Sequence, residues 1–109
     1  MAGGNVLTLT GSNFEAEVKK GVVLVDFWAS WCGPCRMLGP VVEALSDEMK
    51  GQVKVGKVNV DEQPELSEKF EVASIPTILL FKDGKVIANR VGAANKDALK
   101  EWISSSIKG

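Results

Sequence analysis

The sequence predicts an α/β fold in which a central mixed five-stranded sheet is flanked by four helices, in the order β-α-β-α-β-α-β-β-α. Three observations predict it. Short apolar runs alternate with stretches whose apolar residues recur every three or four positions, the pattern of parallel strands joined by right-handed helical crossovers. The run Val22–Ala29 is apolar throughout except for Asp26, as a strand covered on both faces should be. Lys82-Asp83-Gly84-Lys85 separates the last two apolar runs, and Asp-Gly is a strong hairpin signal, so those strands should form an antiparallel edge.

Each element has its own justification. Val6–Leu9 is a short first strand. Ser12-Asn13-Phe14-Glu15 offers a capping box, in which the Ser12 hydroxyl accepts from the Glu15 amide and the Glu15 carboxylate reaches back. Phe14 and Val18 then share a helical face, and Lys19-Lys20-Gly21 supplies positive charge and a glycine stop. After Val22–Ala29, the residues Leu38, Val41, Val42, Leu45 and Met49 mark a long helix that Gly51 ends. Pro40 falls inside it and should kink it near Arg36, whose carbonyl loses its donor. Val53–Val60 is the next strand, and Leu66 and Phe70 mark a short helix with Pro64 in its first turn. Thr77–Phe81 and Val86–Val91 are the hairpin strands. Asn95 caps a last helix whose Leu99, Trp102, Ile103 and Ile107 form one apolar stripe.

The chain of 109 residues reads as a single domain, 1–109, without repeat or linker. Its 45% hydrophobic and 25% charged residues are those of an ordinary globular protein and exclude disorder. Thirteen basic residues against fourteen acidic ones argue against nucleic acid or an anionic membrane as the main partner. The longest apolar run, Val22–Trp28, is far short of the roughly 20 residues of a membrane span. The start, Met-Ala-Gly-Gly-Asn, shows no basic region followed by an apolar stretch, so no signal peptide is expected, although residues 1–4 also suit a processed precursor or an expression scar. A reducing cytoplasm is the expected location.

The sequence contains no histidine, which excludes Ser–His, Cys–His and His-ligated metal mechanisms together. It contains two cysteines, Cys32 and Cys35. A secreted disulfide scaffold would disperse four or more along the chain, and a loop this short gains little from closure. Three readings compete for the pair: a buried structural thiol pair, half of a zinc site, and a redox dithiol. Zinc would need two further soft ligands that the chain does not offer, so no metal is expected. A C-x-x-C between a buried strand and a helix favours the redox dithiol. Cysteines three apart on a first helical turn lie about 5–6 Å from each other, within reach of a disulfide. The first meets free amides and the positive end of the helix dipole, which favour the thiolate; the second is one turn in and shielded. Cys32 should therefore attack and Cys35 resolve. No dinucleotide fingerprint accompanies them, so no cofactor is expected beyond the redox-active Cys32–Cys35 disulfide.

Several segments occur together in one order: Val25-Asp26-Phe27-Trp28-Ala29, Trp31-Cys32-Gly33-Pro34-Cys35-Arg36, Pro40, Val58-Asn59-Val60-Asp61, Ser74-Ile75-Pro76-Thr77, Phe81-Lys82-Asp83-Gly84 and Val91-Gly92-Ala93. With them the chain resembles the thioredoxin family from end to end. Arg36 stands where many relatives have lysine, and Ser74 where some have glycine. The resemblance implies the thioredoxin fold and a general protein-disulfide reductase, acting on disulfide-containing proteins as a monomer and re-reduced by a flavin- and NADPH-dependent thioredoxin reductase. It also implies that Gly33-Pro34 goes with reductases, in keeping with a proline that offers no donor to a nearby thiolate.

Asp26 lies within the buried strand, where an unpaired charge costs several kcal/mol; it is either neutralised or paired there, or a register error places it on an exposed edge. Lys57 shares the phase of Val53 and Val55 and is either its partner or a solvated lysine at a bulge beside Gly56. The resemblance implies a buried Asp26–Lys57 pair behind Cys35. With no histidine available, Asp26 is then the best general base or proton relay for Cys35. It also implies a cis Pro76 facing the cysteines, and a docking surface of Trp31, Ile75, Gly92 and Ala93. Trp28 reads as core support and Trp102 as part of the terminal stripe. A stable partner-docking module with an incidental dithiol is the alternative function, and an oxidase or isomerase of an oxidising compartment is a weaker one.

Overall fold

The structure, a computed structural model, describes residues 5–108. The expectation about residues 1–4 lies outside these. In chain order the elements are β1 Leu7–Thr8, α1 Phe14–Val18, β2 Val22–Trp28, α2 Gly33–Glu48, β3 Val53–Asn59, α3 Pro64–Lys69, β4 Thr77–Lys82, β5 Lys85–Val91 and α4 Lys96–Lys108. The mixed five-stranded sheet and the four helices of the thioredoxin fold are present in the predicted order. Across the sheet the strands lie β1-β3-β2-β4-β5.

Strand β2 is hydrogen-bonded on both edges, parallel to β3 and antiparallel to β4. Its alternation explains the continuous apolar run. Leu24 enters the core with Leu38, Val42, Leu45, Leu99 and Ile103 of α2 and α4. Val23, Val25 and Phe27 enter the opposite core with Phe14, Val18, Leu66 and Phe81. Phe14, Phe70 and Phe81 pack there with ring centroids 5.2–5.6 Å apart. Asp26 has the phase of Leu24 and so lies on the α2 side.

The hairpin forms the expected antiparallel edge, with β5 outermost and paired to β4. One expectation is corrected: alternation implies that β4 runs parallel to the strands before it, but it is antiparallel to β2 as well and is the one strand reversed in the sheet. The chain re-enters the sheet near the end at which it left, and β4 starts beside the carboxyl end of β2, with Thr77 opposite Phe27.

Local chemistry decides the boundaries. The Ser12–Glu15 capping box does not form: the cap position of α1 is Asn13, whose side chain caps no helix amide. Instead its Oδ1 accepts from the Thr10 amide at 2.7 Å and its Nδ2 donates to the Thr8 carbonyl at 3.0 Å, closing the preceding turn. The Asn95 cap does form, with Oδ1 accepting from the Ala98 amide at 2.8 Å. Asp83 and Gly84 both have positive φ, 49° and 85°, as a two-residue hairpin turn of the twist-matched type requires. Helix α2 continues without a break through Pro40. At its far end Glu48 accepts from Lys96 at 2.8 Å and Lys100 at 2.5 Å, tying α2 to α4.

No bulge adjoins Gly56, since β3 keeps unbroken register with β2 from Val53 to Asn59. The irregularity falls at Leu80/Phe81, opposite β5. Gly56 answers a different need: a Cβ there would stand 2.5 Å from Cδ1 and 2.8 Å from Cγ of Leu9. Gly56→Ala is expected to lower unfolding free energy by about 1–3 kcal/mol in urea melts, as overpacking does. Combining it with Leu9→Ala should cost less than the sum of the two single changes, because the deleted side chain is the one the methyl meets.

Candidate active site at the start of helix α2

Three chain segments converge at the carboxyl end of β2. The first is the turn from β2 into α2. Cys32 is the cap residue of α2, in extended conformation with φ −87° and ψ 113°, and Pro34 lies in the first turn, where its missing N–H costs nothing. The Cys35 amide donates to Cys32 Sγ at 3.2 Å. The two sulfurs form a disulfide with Cα atoms 5.2 Å apart. Each cysteine is 5% exposed, so access does not distinguish them. What does is the helix: its first-turn amide points at the sulfur of Cys32.

The second segment is the entry to β4. The Ile75–Pro76 bond is cis, Pro76 is buried, and the Ile75 carbonyl oxygen lies 3.9 Å from Cys32 Sγ. The third is the exit from β5. The Gly92 amide donates to the Pro76 carbonyl at 2.8 Å, and Gly92 takes φ +100°, a conformation only glycine adopts readily. Of the other residues singled out from the sequence, Gly33, Pro34 and Ala93 are exposed and Ile75 is half-buried against the cysteines.

Trp31 is 64% exposed, and its Nε1 donates to Asp61 Oδ2 at 2.9 Å. Asp61 is held in turn, because Asn59 Oδ1 accepts from the amides of Asp61 and Glu62 at 2.9 and 3.2 Å. Sequence reasoning quoted Asn59 and Asp61 but gave them no role. The signal available was an Asn at a strand end followed by acids, a common turn pattern.

Asp26 is 3% exposed, and its Oδ1 has no hydrogen-bond partner. Burial pushes its carboxyl up from the ordinary 3.8 to about 7, with the charge of Lys57 pulling in the opposite direction. Asp26 and Lys57 are register partners across β2 and β3. They do not form an ion pair: the ion pairs among the described residues are Lys54–Glu17, Lys96–Glu48 and Lys100–Glu48. Instead the half-buried Lys57 places Nζ 4.7 Å from the centroid of the Trp28 ring. The close pair implied by resemblance is thus a register pair whose ammonium is turned toward an aromatic face.

Two sulfurs that alternate between one S–S bond and two thiols exchange two electrons and two protons. Their closure over a helix start at the carboxyl ends of an α/β sheet defines a dithiol–disulfide oxidoreductase. The thioredoxin family model matches residues 5–105. A thioredoxin of Rickettsia felis is 48% identical over 101 residues, covering 91% of this chain and 96% of that protein. A thioredoxin of Bacillus subtilis is 46% identical over 102 residues, covering 94% and 98%. The chain belongs to the thioredoxin family.

A carboxyl raised by folding weakens the folded state as pH climbs from its unfolded value, near 3.8, to its folded value of about 7; the penalty is then constant. Asp26→Asn is therefore expected to stabilise the protein by up to roughly 4 kcal/mol at about pH 8 and to change little at about pH 3. Urea melts across that range check it.

Proposed function

We propose that the protein is a general protein-disulfide reductase of the cytoplasm, working as a monomer. The observation that carries this reading is the Cys35 amide aimed at Cys32 Sγ from the first turn of α2. In the reduced protein that donor, with the helix dipole, favours a thiolate on Cys32. The thiolate attacks one sulfur of a substrate disulfide, forming a mixed disulfide and releasing the other sulfur as thiolate. Cys35 then loses its proton and attacks Cys32 Sγ. The mixed disulfide breaks, the second substrate sulfur leaves and takes up a proton, and Cys32–Cys35 is left oxidised with two electrons transferred. A flavin- and NADPH-dependent thioredoxin reductase returns those electrons.

Asp26 serves as proton relay for Cys35. Its carboxyl titrates near neutrality, so both accepting and releasing a proton are inexpensive there. Lys57 adjusts that affinity from the neighbouring strand. Trp31, Ile75, Gly92 and Ala93 receive the substrate. Since the Pro76 carbonyl is held by Gly92, the backbone offered to an extended substrate segment is that of Ile75. Pro34 adds no donor for the thiolate, which leaves the dithiol less stabilised and the pair reducing.

Cys35→Ser is expected to accumulate mixed disulfides from a cell extract, and Cys32→Ser to trap none. Trapping by Cys32→Ser alone would reverse the roles. Asp26→Asn should slow resolution of a preformed mixed disulfide by about 100-fold while leaving the first attack near normal, as stopped-flow measurements at neutral pH would show. The exposure of Trp31 also favours a second reading, a stable docking module in which the dithiol is incidental. Biological activity retained by the double Cys→Ser variant would select it.

A further inference from the structure

Lys57 has two neighbours on β2 that compete for its ammonium. Asp26 is its register partner, and Trp28, two residues on, shares the same face of the strand. The ammonium stands over the Trp28 ring, 4.7 Å from its centroid, while Asp26 Oδ1 is buried with no hydrogen-bond partner. A lysine stem on a register partner is long enough to reach the carboxylate, so the ring contact is a choice between two electron-rich groups. An ammonium half removed from water gains from an aromatic face.

We propose that Trp28 is a positioning residue: its ring holds the Lys57 ammonium and withholds it from Asp26. The inference rests on the reading of Asp26 as proton relay, and it gives Trp28 a role beyond core support. The surroundings leave Lys57 as the charge that decides. From β4 the register partner of Asp26 is Ile78, and the buried residues of α2 above this face are Cys35, Leu38 and Val42. The small cleft that Lys57 and Trp28 line also holds Thr8, Thr10, Asn59 and the exposed Glu62. Held at the ring, Lys57 attracts the Asp26 carboxylate from a distance. On the carboxylate it would keep Asp26 ionised and remove its capacity to carry a proton near neutral pH.

Carbon-13 NMR titration of the Asp26 carboxyl tests this. Trp28→Leu is expected to free the ammonium and lower the proton affinity of Asp26 about tenfold, whereas Trp28→Phe keeps an aromatic face and stays near wild type. Lys57→Met should raise the affinity, and adding Trp28→Leu to it should then change nothing. An equal fall with and without Lys57 would mean water entering the site and would overturn the proposal, as would no fall in Trp28→Leu. The wild-type protein supplies a check free of folding defects: the Lys57 side-chain methylenes should be shifted upfield by the Trp28 ring, and ordinary shifts would equally overturn it. Normal mixed-disulfide resolution in Asp26→Asn sinks the relay reading without touching this titration, so the two fail separately.

Discussion

Strand β2 is paired on both edges and covered on both faces, and the site depends on that double burial. Its Leu24 phase is roofed by α2 and α4, and its Val23, Val25 and Phe27 phase by α1 and α3. Any residue in the first phase lies under α2 whatever its polarity. Asp26 is there by period alone, and the cost of its charge becomes proton affinity near neutral pH. The same strand, ending at Trp28, delivers the chain to the cap of α2 and puts Cys32 where the free first-turn amides of that helix converge.

The second determinant is the return of the chain after β3. It re-enters the sheet at the end where it left, so β4 is reversed and Ile75–Pro76 lies beside the disulfide. Gly92, at the end of β5, then closes onto the Pro76 carbonyl because the tight hairpin at Asp83-Gly84 returns β5 along β4. Residues 32, 76 and 92 thus meet through two features of the chain path, the reversal of β4 and the tight turn into β5.

Without histidine, the proposed reaction divides attack and proton transfer between two parts of the fold. Helix geometry acts on Cys32, through the Cys35 amide. In the proposed reaction, strand geometry acts on the proton that leaves Cys35, through Asp26, Lys57 and Trp28. The two cysteines are equally buried, so the difference between their proposed roles rests on their neighbours rather than on access.

The sequence alone determined the element order, the two-faced burial of β2, the Asn95 cap, the Asp83-Gly84 turn and the Cys32–Cys35 site, since each depends on residues a few positions apart. It misplaced the α1 cap because Ser12 and Asn13 compete for neighbouring backbone groups, and local pattern does not rank them. Tertiary structure alone decided the strand order β1-β3-β2-β4-β5, the reversal of β4, and the approach of residues 75 and 92 to residue 32. It also decided that Lys57 faces Trp28 rather than Asp26, and that Asp61 anchors Trp31. Periodicity reports which face a side chain takes; which distant group shares that face depends on how the strands are ordered, and no local pattern encodes that.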